Sequence, residues 1–148
     1  MKKYVLFAIL CLLPLGLRAQ LSSNPQKFLG NITTDYSSEM DYDGFIFSNY
    51  WNQVTPENAT KWESVEGTRG VYDWTGADKA YNYATQHGFP FKFHTLVWGS
   101  QFPQWFKTLS VRERYIAIVK WMDAVKAKYP NLPMIDVVNE AIEGHPYL

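Results

Sequence analysis

Residues that suit acid–base chemistry on a polar ligand occur in three short segments of the chain. A carboxylic acid can donate and take up a proton, while amide, ammonium and imidazole groups form hydrogen bonds that orient a ligand. An indole ring adds a flat apolar surface. The candidate site residues are Glu57, Asn58 and Lys61 in the first segment, His94, Trp98 and Gln101 in the second, and Asn139 and Glu140 in the third.

The third segment indicates how such residues are positioned. After Pro133, a short apolar run rich in β-branched residues leads to the pair Asn139 and Glu140, which is typical of a buried strand that ends in a loop. In a parallel α/β barrel, the catalytic groups lie at such strand ends. For this pair alone, a capping role and a catalytic role for Glu140 are about equally supported.

The first two segments also follow predicted strands. Residues 28–32 predict a first strand, in which Gly30 allows a close backbone approach. Residues 52–55 lead into the polar residues of the first segment, and residues 91–97 alternate as a strand before Trp98. Between the first two strands, residues 35–43 are polar and turn-like, and residues 45–51 predict a short helix.

Two longer helices are predicted between the later strands. The first begins at Asp73 or Thr75, runs to His87 and stops at Gly88. The second begins at a capping box formed by Ser110 and Glu113 and ends near residue 129. Its predicted buried stripe consists of Val111, Tyr115, Ile118, Val119, Met122 and Val125.

The alternation of strands and helices predicts a parallel sheet with crossover helices. The carboxyl ends of parallel strands lie on one rim, so the three polar segments are expected to converge there. Each residue also has a structural interpretation. On sequence alone, His94 fits a hydrogen-bonded core histidine better than a ligand-binding one. Lys61 is also compatible with a solvated helix residue, and Trp98 with core packing.

Composition excludes several other classes of protein. The 148 residues are 47% hydrophobic and 17% aromatic, which is typical of a globular domain. The charges balance and form no basic cluster, so nucleic-acid binding is not predicted. The three histidines are scattered, and the single cysteine lies near the N-terminus, so no metal site is predicted; no glycine-rich phosphate loop is present, and no cofactor is expected.

The N-terminal residues resemble a secretory signal peptide. Lys2 and Lys3 precede an apolar segment that contains Cys11, and Ala19 ends a plausible cleavage site. We therefore expect residues 1–19 to be removed and the mature chain to be secreted or periplasmic in a bacterium. Such a mature chain has no cysteine and no membrane segment.

Taken together, three segments resemble the successive rim motifs of glycoside hydrolase family 10. They are VTPENATKW (residues 54–62), FHTLVWGSQ (residues 93–101) and IDVVNEA (residues 135–141). That family consists of secreted endo-β-1,4-xylanases built on a (β/α)8 barrel. The resemblance implies an α/β fold in which residues 20–148 form the N-terminal half of the barrel, with about four βα units.

The resemblance also implies a role for each candidate residue. Glu140 is expected to be the general acid/base, and Asn139 to donate a hydrogen bond to the 2-hydroxyl of the adjacent sugar, which His94 also contacts. On the non-reducing side, sugars are expected to contact the first segment, which comprises Glu57, Asn58 and Lys61. Trp98 is expected to wall the site and Gln101 to lie towards the leaving group. Asp136 is interpreted as a structural hydrogen-bonding acid.

The resemblance leaves one departure and one gap. Many family members carry a histidine at the position of Gly99, so subsite preference is open. The family's nucleophile is a glutamate on the seventh strand, whereas the predicted strands number about four. We therefore expect a chain that is truncated after its fourth strand, lacks the C-terminal half of the barrel and is inactive on its own. The alternatives are a non-catalytic sugar-binding half-barrel and a related barrel glycosidase acting on β-glucan or mannan.

Overall fold

The computed structural model of the protein describes residues 24, 26–33 and 40–141. The predicted signal peptide, residues 1–19, lies outside these residues. The α-helices are α1 (Trp62–Val65), α2 (Thr75–His87) and α3 (Val111–Lys128). The strands are β1 (Gly30–Thr33), β2 (Asp41–Tyr42), β3 (Phe45–Ile46), β4 (Gln53–Pro56), β5 (Lys92–Phe93), β6 (Val97–Trp98), β7 (Met134–Ile135) and β8 (Val138–Asn139).

Six of the eight described strands pair in parallel and occupy four strand positions: β1, β4, β5 with β6, and β7 with β8. β1 pairs with β4, which contacts β5 through a bridge between Val54 and Phe91. β5 pairs with β7, and β6 pairs with β8, so each of the last two positions is built from two short strands. All these pairs are parallel, which confirms the predicted sheet. Gly30 faces Gln53 so closely that a Cβ atom would lie 1.8 Å from the Gln53 Oε1 atom.

The first crossover confirms only part of the short helix predicted at residues 45–51. β2 and β3 form an antiparallel pair, and a short 3-10 helix (Phe47–Asn49) follows. Asp43 and Gly44 connect the two strands with φ angles of 45° and 79°. A tight turn of this kind favours pairing of the aromatic and β-branched residues that follow it, because they fit a pleated strand better than a helix.

The third strand position is interrupted, whereas the sequence predicted one strand over residues 91–97. Between β5 and β6, the Leu96 N–H and the Thr95 hydroxyl both donate to the Asp136 carbonyl. The Trp121 indole N–H donates to the Leu96 carbonyl at 2.8 Å. Side chains and loop backbone therefore supply the hydrogen-bond partners that a neighbouring strand would supply in a regular sheet.

The predicted end of helix α2 is confirmed, whereas its predicted side-chain cap at the start is wrong. Gly88 follows it with a φ of 67°, as predicted for a C-terminal glycine. At the start, neither Asp73 nor Thr75 caps the helix through its side chain, because the residue before the helix is Trp74. The Asp73 Oδ1 atom instead accepts from the Thr75 N–H at 2.9 Å and forms the turn that leads into the helix.

Helix α3 begins at the predicted capping box but buries a different face. Ser110 and Glu113 exchange side-chain and backbone hydrogen bonds at its first turn. The buried residues are Ala117, Trp121 and Val125, whereas Val111 and Tyr115 are 85% and 70% exposed. The predicted stripe is confirmed at Val125 and in part at Ile118 and Met122, which pack against the core, and is wrong at Val111, Tyr115 and Val119. It followed the aliphatic residues and omitted the large indole of Trp121.

The core is an aromatic cluster between the helices and the sheet. The Trp121 ring stacks between those of Trp62 and Trp74, with centroids 5.8 and 5.7 Å away. Trp62 also contacts Phe106 edge-on. Such pairs contribute roughly 0.5–1.5 kcal/mol each beyond their buried area. Among the described helices, none is long and apolar enough to cross a membrane.

Candidate active site

Lys61 is the centre of a polar cluster at the carboxyl ends of the strands. It precedes α1 as the N-cap residue, and only 4% of its surface is exposed. Its Nζ atom donates to the Gln101 Oε1 atom at 3.1 Å and lies 4.3 Å from the centroid of the Trp98 ring. The alternative interpretation of Lys61 as a solvated helix residue is therefore wrong, because Lys61 is a buried cation with an amide and an aromatic partner.

Gln101 connects the first two polar segments. Its Nε2 atom donates to the Asn58 Oδ1 atom at 3.0 Å, while its Oε1 atom accepts from Lys61. Its backbone has a φ of 47°, which is unfavourable for a residue with a side chain and costs roughly 1–2 kcal/mol. This conformation persists at a place where the side chain has two partners, as is common at functional sites.

Glu140 joins the cluster from the last strand. Its Oε2 atom accepts a hydrogen bond from the Trp98 indole N–H at 2.9 Å. Glu140 as a whole is an exposed residue. The register of β6 and β8 pairs Trp98 with Asn139, so the Trp98 indole lies beside Glu140, the residue after Asn139. Glu140 also has a positive φ, 50°, at the point where the strand ends.

Burial and charge act in opposite directions on Lys61. Burial lowers the pKa of its ammonium group, while the carboxylates of Glu57 and Glu140 raise it in part. The net direction is downward from 10.5, and both acids therefore lie within electrostatic reach of the same cation. Glu57 therefore belongs to the cluster through its charge.

His94 is hydrogen-bonded to an acid of the neighbouring strand position. Its Nδ1 atom and the Lys92 Nζ atom each lie 2.8 Å from the Asp136 Oδ2 atom. Partial burial alone would raise the pKa of the Asp136 carboxyl, but the hydrogen bonds and charges of Lys92 and His94 outweigh it and hold that pKa below 3.8. Asp136 thus has the hydrogen-bonding role predicted for it, and it fixes the orientation of the His94 ring.

The described contacts therefore join five of the predicted residues directly, and the other three are positioned by charge, by strand register or by Asp136. The joined residues are Asn58, Lys61, Trp98, Gln101 and Glu140. Glu57 contributes through its charge, Asn139 is positioned by strand register, and His94 is bound to Asp136. Lys92 was not singled out from the sequence; its position two residues before His94 on one strand face was the available signal. Across the described residues, no group of three or more ligand side chains could hold a metal ion.

Comparison with known proteins gives the family. Residues 17–147 match the model of glycosyl hydrolase family 10. The chain belongs to this family. Since family 10 has the (β/α)8 barrel fold, the parallel strand positions described above are part of such a barrel.

Named relatives of family 10 are similar along most of the chain. Endo-1,4-beta-xylanase B from Cellvibrio japonicus is 51% identical over 120 residues, which are 81% of this chain and 19% of that protein. Endo-1,4-beta-xylanase 1 from Gibberella zeae is 33% identical over 130 residues, 86% of this chain and 37% of its own length. The chain thus spans about a fifth to two fifths of the length of these relatives.

Solved structures of family 10 proteins agree with this match. A psychrophilic endo-beta-1,4-xylanase superposes with a TM-score of 0.61 at 32% identity, over 66% of this chain and 33% of that one. The family 10 structure from Paenibacillus barcinonensis gives a TM-score of 0.68 at 26% identity, over 78% of this chain and 36% of that one. The described residues therefore correspond to part of a barrel.

Proposed function

We propose that this chain forms the acid/base side of the active site of a retaining endo-β-1,4-xylanase, with Glu140 as the general acid/base. The observation that carries this proposal is the contact between Glu140 and Trp98 beside the buried Lys61, on the same rim. A carboxylate held by an indole N–H, next to groups suited to hydroxyls, fits a sugar bound across the strand ends.

The reaction assigns two successive duties to Glu140. Its protonated form donates to the glycosidic oxygen as the bond breaks, and its ionised form then takes a proton from the attacking water. The nucleophile is a second carboxylate roughly 5 Å away. Family membership points to a glutamate on a seventh strand, which is not among the four strand positions described.

The remaining residues bind and orient the sugar chain in this proposal. Asn139 and His94 contact the sugar next to the scissile bond, and the fixed His94 ring keeps one nitrogen for that contact. Glu57, Asn58 and Lys61 hold the sugars towards the non-reducing end. Trp98 forms the wall between them and Glu140. Gln101 lies towards the leaving group in this proposal, and its hydrogen bonds with Asn58 and Lys61 connect it to the residues that hold the other sugars.

Secretion forms a second part of the proposal. Xylan is a polymer that a cell meets outside its membrane, and residues 1–19 have the pattern of an export signal. We infer that residues 20–148 belong to the exported catalytic domain. N-terminal sequencing of protein recovered from the culture medium or periplasm of an expressing bacterium should begin at Gln20, and retention of residues 1–19 would contradict export by cleavage.

A chimera tests the proposed activity. This chain's sequence replaces the 120 matching residues of the Cellvibrio japonicus xylanase, with which it is 51% identical. We expect the chimera to release reducing sugar from xylan, and Glu140→Gln to lower kcat at least about 100-fold while oligosaccharide binding persists. Turnover that survives Glu140→Gln would contradict the assignment, and preferred turnover of β-glucan or mannan would contradict the substrate.

A further inference from the structure

Lys92 lies at the start of β5, two residues before His94. Side chains two residues apart in an extended segment point to the same side. The register of β5 and β7 pairs Phe93 with Ile135. The Asp136 N–H, one residue further along, donates to the Phe93 carbonyl at 3.0 Å. Asp136 is therefore level with His94 on the neighbouring strand position, and Lys92 lies nearer the amino ends of the strands.

One carboxylate oxygen of Asp136 has two partners. The Lys92 Nζ atom and the His94 Nδ1 atom each lie 2.8 Å from the Asp136 Oδ2 atom. The Asp136 backbone is fixed separately, because its carbonyl accepts from the Leu96 N–H and from the Thr95 hydroxyl. Lys92 and His94 therefore set the direction of the Asp136 side chain.

Lys92 and Asp136 also line a cavity of about 600 Å³ beside β4, β5 and β7. The amide of Gln53 and the hydroxyl of Thr55 are further polar groups in its lining, and neither has a proposed contact with sugar. An effect of Lys92 on the reaction therefore passes through Asp136 and His94, and not through a contact between Lys92 and the sugar.

The charge of Lys92 affects what the His94 ring offers to a ligand. An ionised carboxylate only accepts hydrogen bonds, so the Nδ1 atom that faces Asp136 carries a hydrogen. In a neutral ring the Nε2 atom is then an acceptor, whereas in a protonated ring it is a donor. A carboxylate beside the ring favours protonation, and a nearby cation disfavours it. Lys92 therefore opposes the effect of Asp136 on His94.

The charges of Lys92 and Asp136 balance without a proton on His94. Burial alone would raise the pKa of the Asp136 carboxyl, but the hydrogen bonds and charges of Lys92 and His94 hold it below its ordinary value, so Asp136 is ionised at neutral pH. The Lys92 and Asp136 side chains are 37% and 30% exposed, so solvent weakens their effect on the ring. We therefore expect a modest effect of Lys92 on proton binding by His94.

The surroundings of His94 include groups that a substitution at Lys92 leaves unchanged. The segment after β4 contacts His94 through Thr60, whose uncharged hydroxyl donates to the His94 carbonyl. The other charged residues of the candidate site, which interact through their charges on the rim, are Glu57, Lys61 and Glu140. A neutral residue at position 92 therefore removes one charge and keeps the others.

We propose that Lys92 is a positioning residue of the proposed xylanase. Acting through Asp136, it keeps His94 neutral, with hydrogen on Nδ1 and with Nε2 as the acceptor for a hydroxyl of the sugar next to the scissile bond. The contact with sugar rests on the proposed function, whereas the effect on the ring is a property of this chain that is measured without a substrate.

NMR of the histidine rings in the 148-residue chain tests the effect of Lys92 on His94. Long-range ¹H–¹⁵N spectra report which ring nitrogen carries hydrogen, and the signals missing from His94→Gln identify the His94 ring. In the wild type at neutral pH, we expect hydrogen on Nδ1 and none on Nε2. Lys92→Met should move the midpoint of ring protonation to higher pH by about half a unit.

Three further variants separate the charge of Lys92 from its shape. Lys92→Arg keeps the charge and the donors and should keep the wild-type midpoint. Lys92→Gln keeps a donor without the charge and should behave as Lys92→Met, so it replaces that variant if the latter does not fold. Lys120→Met removes the same charge from an exposed position on α3 and should shift the midpoint by about 0.1 unit or less.

The pH profile of the Cellvibrio japonicus chimera tests the contact with sugar. Because a neutral ring is required, Lys92→Met should lower kcat/KM on xylan about threefold below about pH 6, and the loss should disappear above about pH 8. Lys92→Arg should keep the wild-type profile, and Lys120→Met should leave it unchanged.

Three results would overturn the proposal. They are hydrogen on Nε2 of the neutral His94 ring in the wild type, an equal midpoint in the wild type and the uncharged Lys92 variants, and a loss of kcat/KM that is the same at every pH. An inactive chimera whose chain still shows the midpoint shift contradicts the proposed function. An active chimera without the shift contradicts only the role of Lys92.

Discussion

Several side chains of the site are buried from solvent or bonded to defined protein groups. Lys61 would be an ordinary surface lysine by its sequence, yet it is buried against Trp98 and bound by Gln101. The cost of burying it appears as its lowered pKa, and the nearby carboxylates of Glu57 and Glu140 offset part of that cost. A buried cation with capacity for further hydrogen bonds is suited to the hydroxyls of a sugar.

At the same scale, sequence reasoning found the residue types but not their pairing. The rim motifs predicted the candidate residues, because each lies at the end of a strand. The bond between Trp98 and Glu140 depends on the register of β6 and β8, and the positive φ angles of Gln101 and Glu140 depend on local loop geometry. Neither property has a periodic pattern in the sequence.

Asp136 gives a pH-dependent prediction. Its folded pKa is held below 3.8 by Lys92 and His94, so its contribution to stability is complete above that value and is lost as the pH falls through the folded pKa. We expect Asp136→Asn to lower the free energy of unfolding at neutral pH, and the difference from the wild type to shrink below pH 3.8. Urea unfolding at several pH values measures this difference.

The matched control for that prediction is Asp123→Asn, an exposed acid on α3. It should change the free energy of unfolding by no more than about 0.5 kcal/mol at neutral pH. A difference between wild type and Asp136→Asn that stays constant down to the lowest pH would show that the lost stability does not come from the ionised carboxylate.

Helix α3 shows which element properties the sequence predicts well. The capping box fixed its start, because the serine and glutamate act locally on the first turn. Its buried face is determined by the groups that pack against it. These are the aromatic rings of Trp62 and Trp74 and the interrupted strand at Leu96. Tertiary packing therefore determines which face of α3 is buried, and the spacing of its aliphatic residues does not predict that face fully.

A pair of alanine substitutions on α3 tests this face assignment. Trp121 is fully buried and donates to the Leu96 carbonyl, so Trp121→Ala should cost about 3–5 kcal/mol of unfolding free energy. Tyr115 belongs to the originally predicted stripe but is 70% exposed, so Tyr115→Ala should cost about 0.5 kcal/mol or less. Equal costs, measured by chemical denaturation of this chain, would contradict the described packing.

The whole molecule has the surface expected of part of a barrel. In the described part of the chain, exposed apolar side chains occur at both outer strand positions: Phe28, Leu29 and Ile32 at or before β1, and Ile135, Val137 and Val138 at β7 and β8. An open strand edge with apolar residues is a pairing surface. The parallel order and the common rim were predictable from alternating elements, whereas the hairpin in the first crossover was not.

Glu140 is proposed to supply the proton to the leaving group, and the dependence of the rate on the leaving group tests this role most directly. The measurement compares 2,4-dinitrophenyl and phenyl β-xylobioside as substrates of the chimera with Glu140→Ala, with and without azide. A good leaving group needs no proton, so bond cleavage should fall at least about 100-fold for the phenyl substrate and little for the other. Azide should restore turnover of the dinitrophenyl substrate and yield a β-xylobiosyl azide, since it needs no general base. Equal losses on both substrates, with no effect of azide, would contradict the assignment of Glu140.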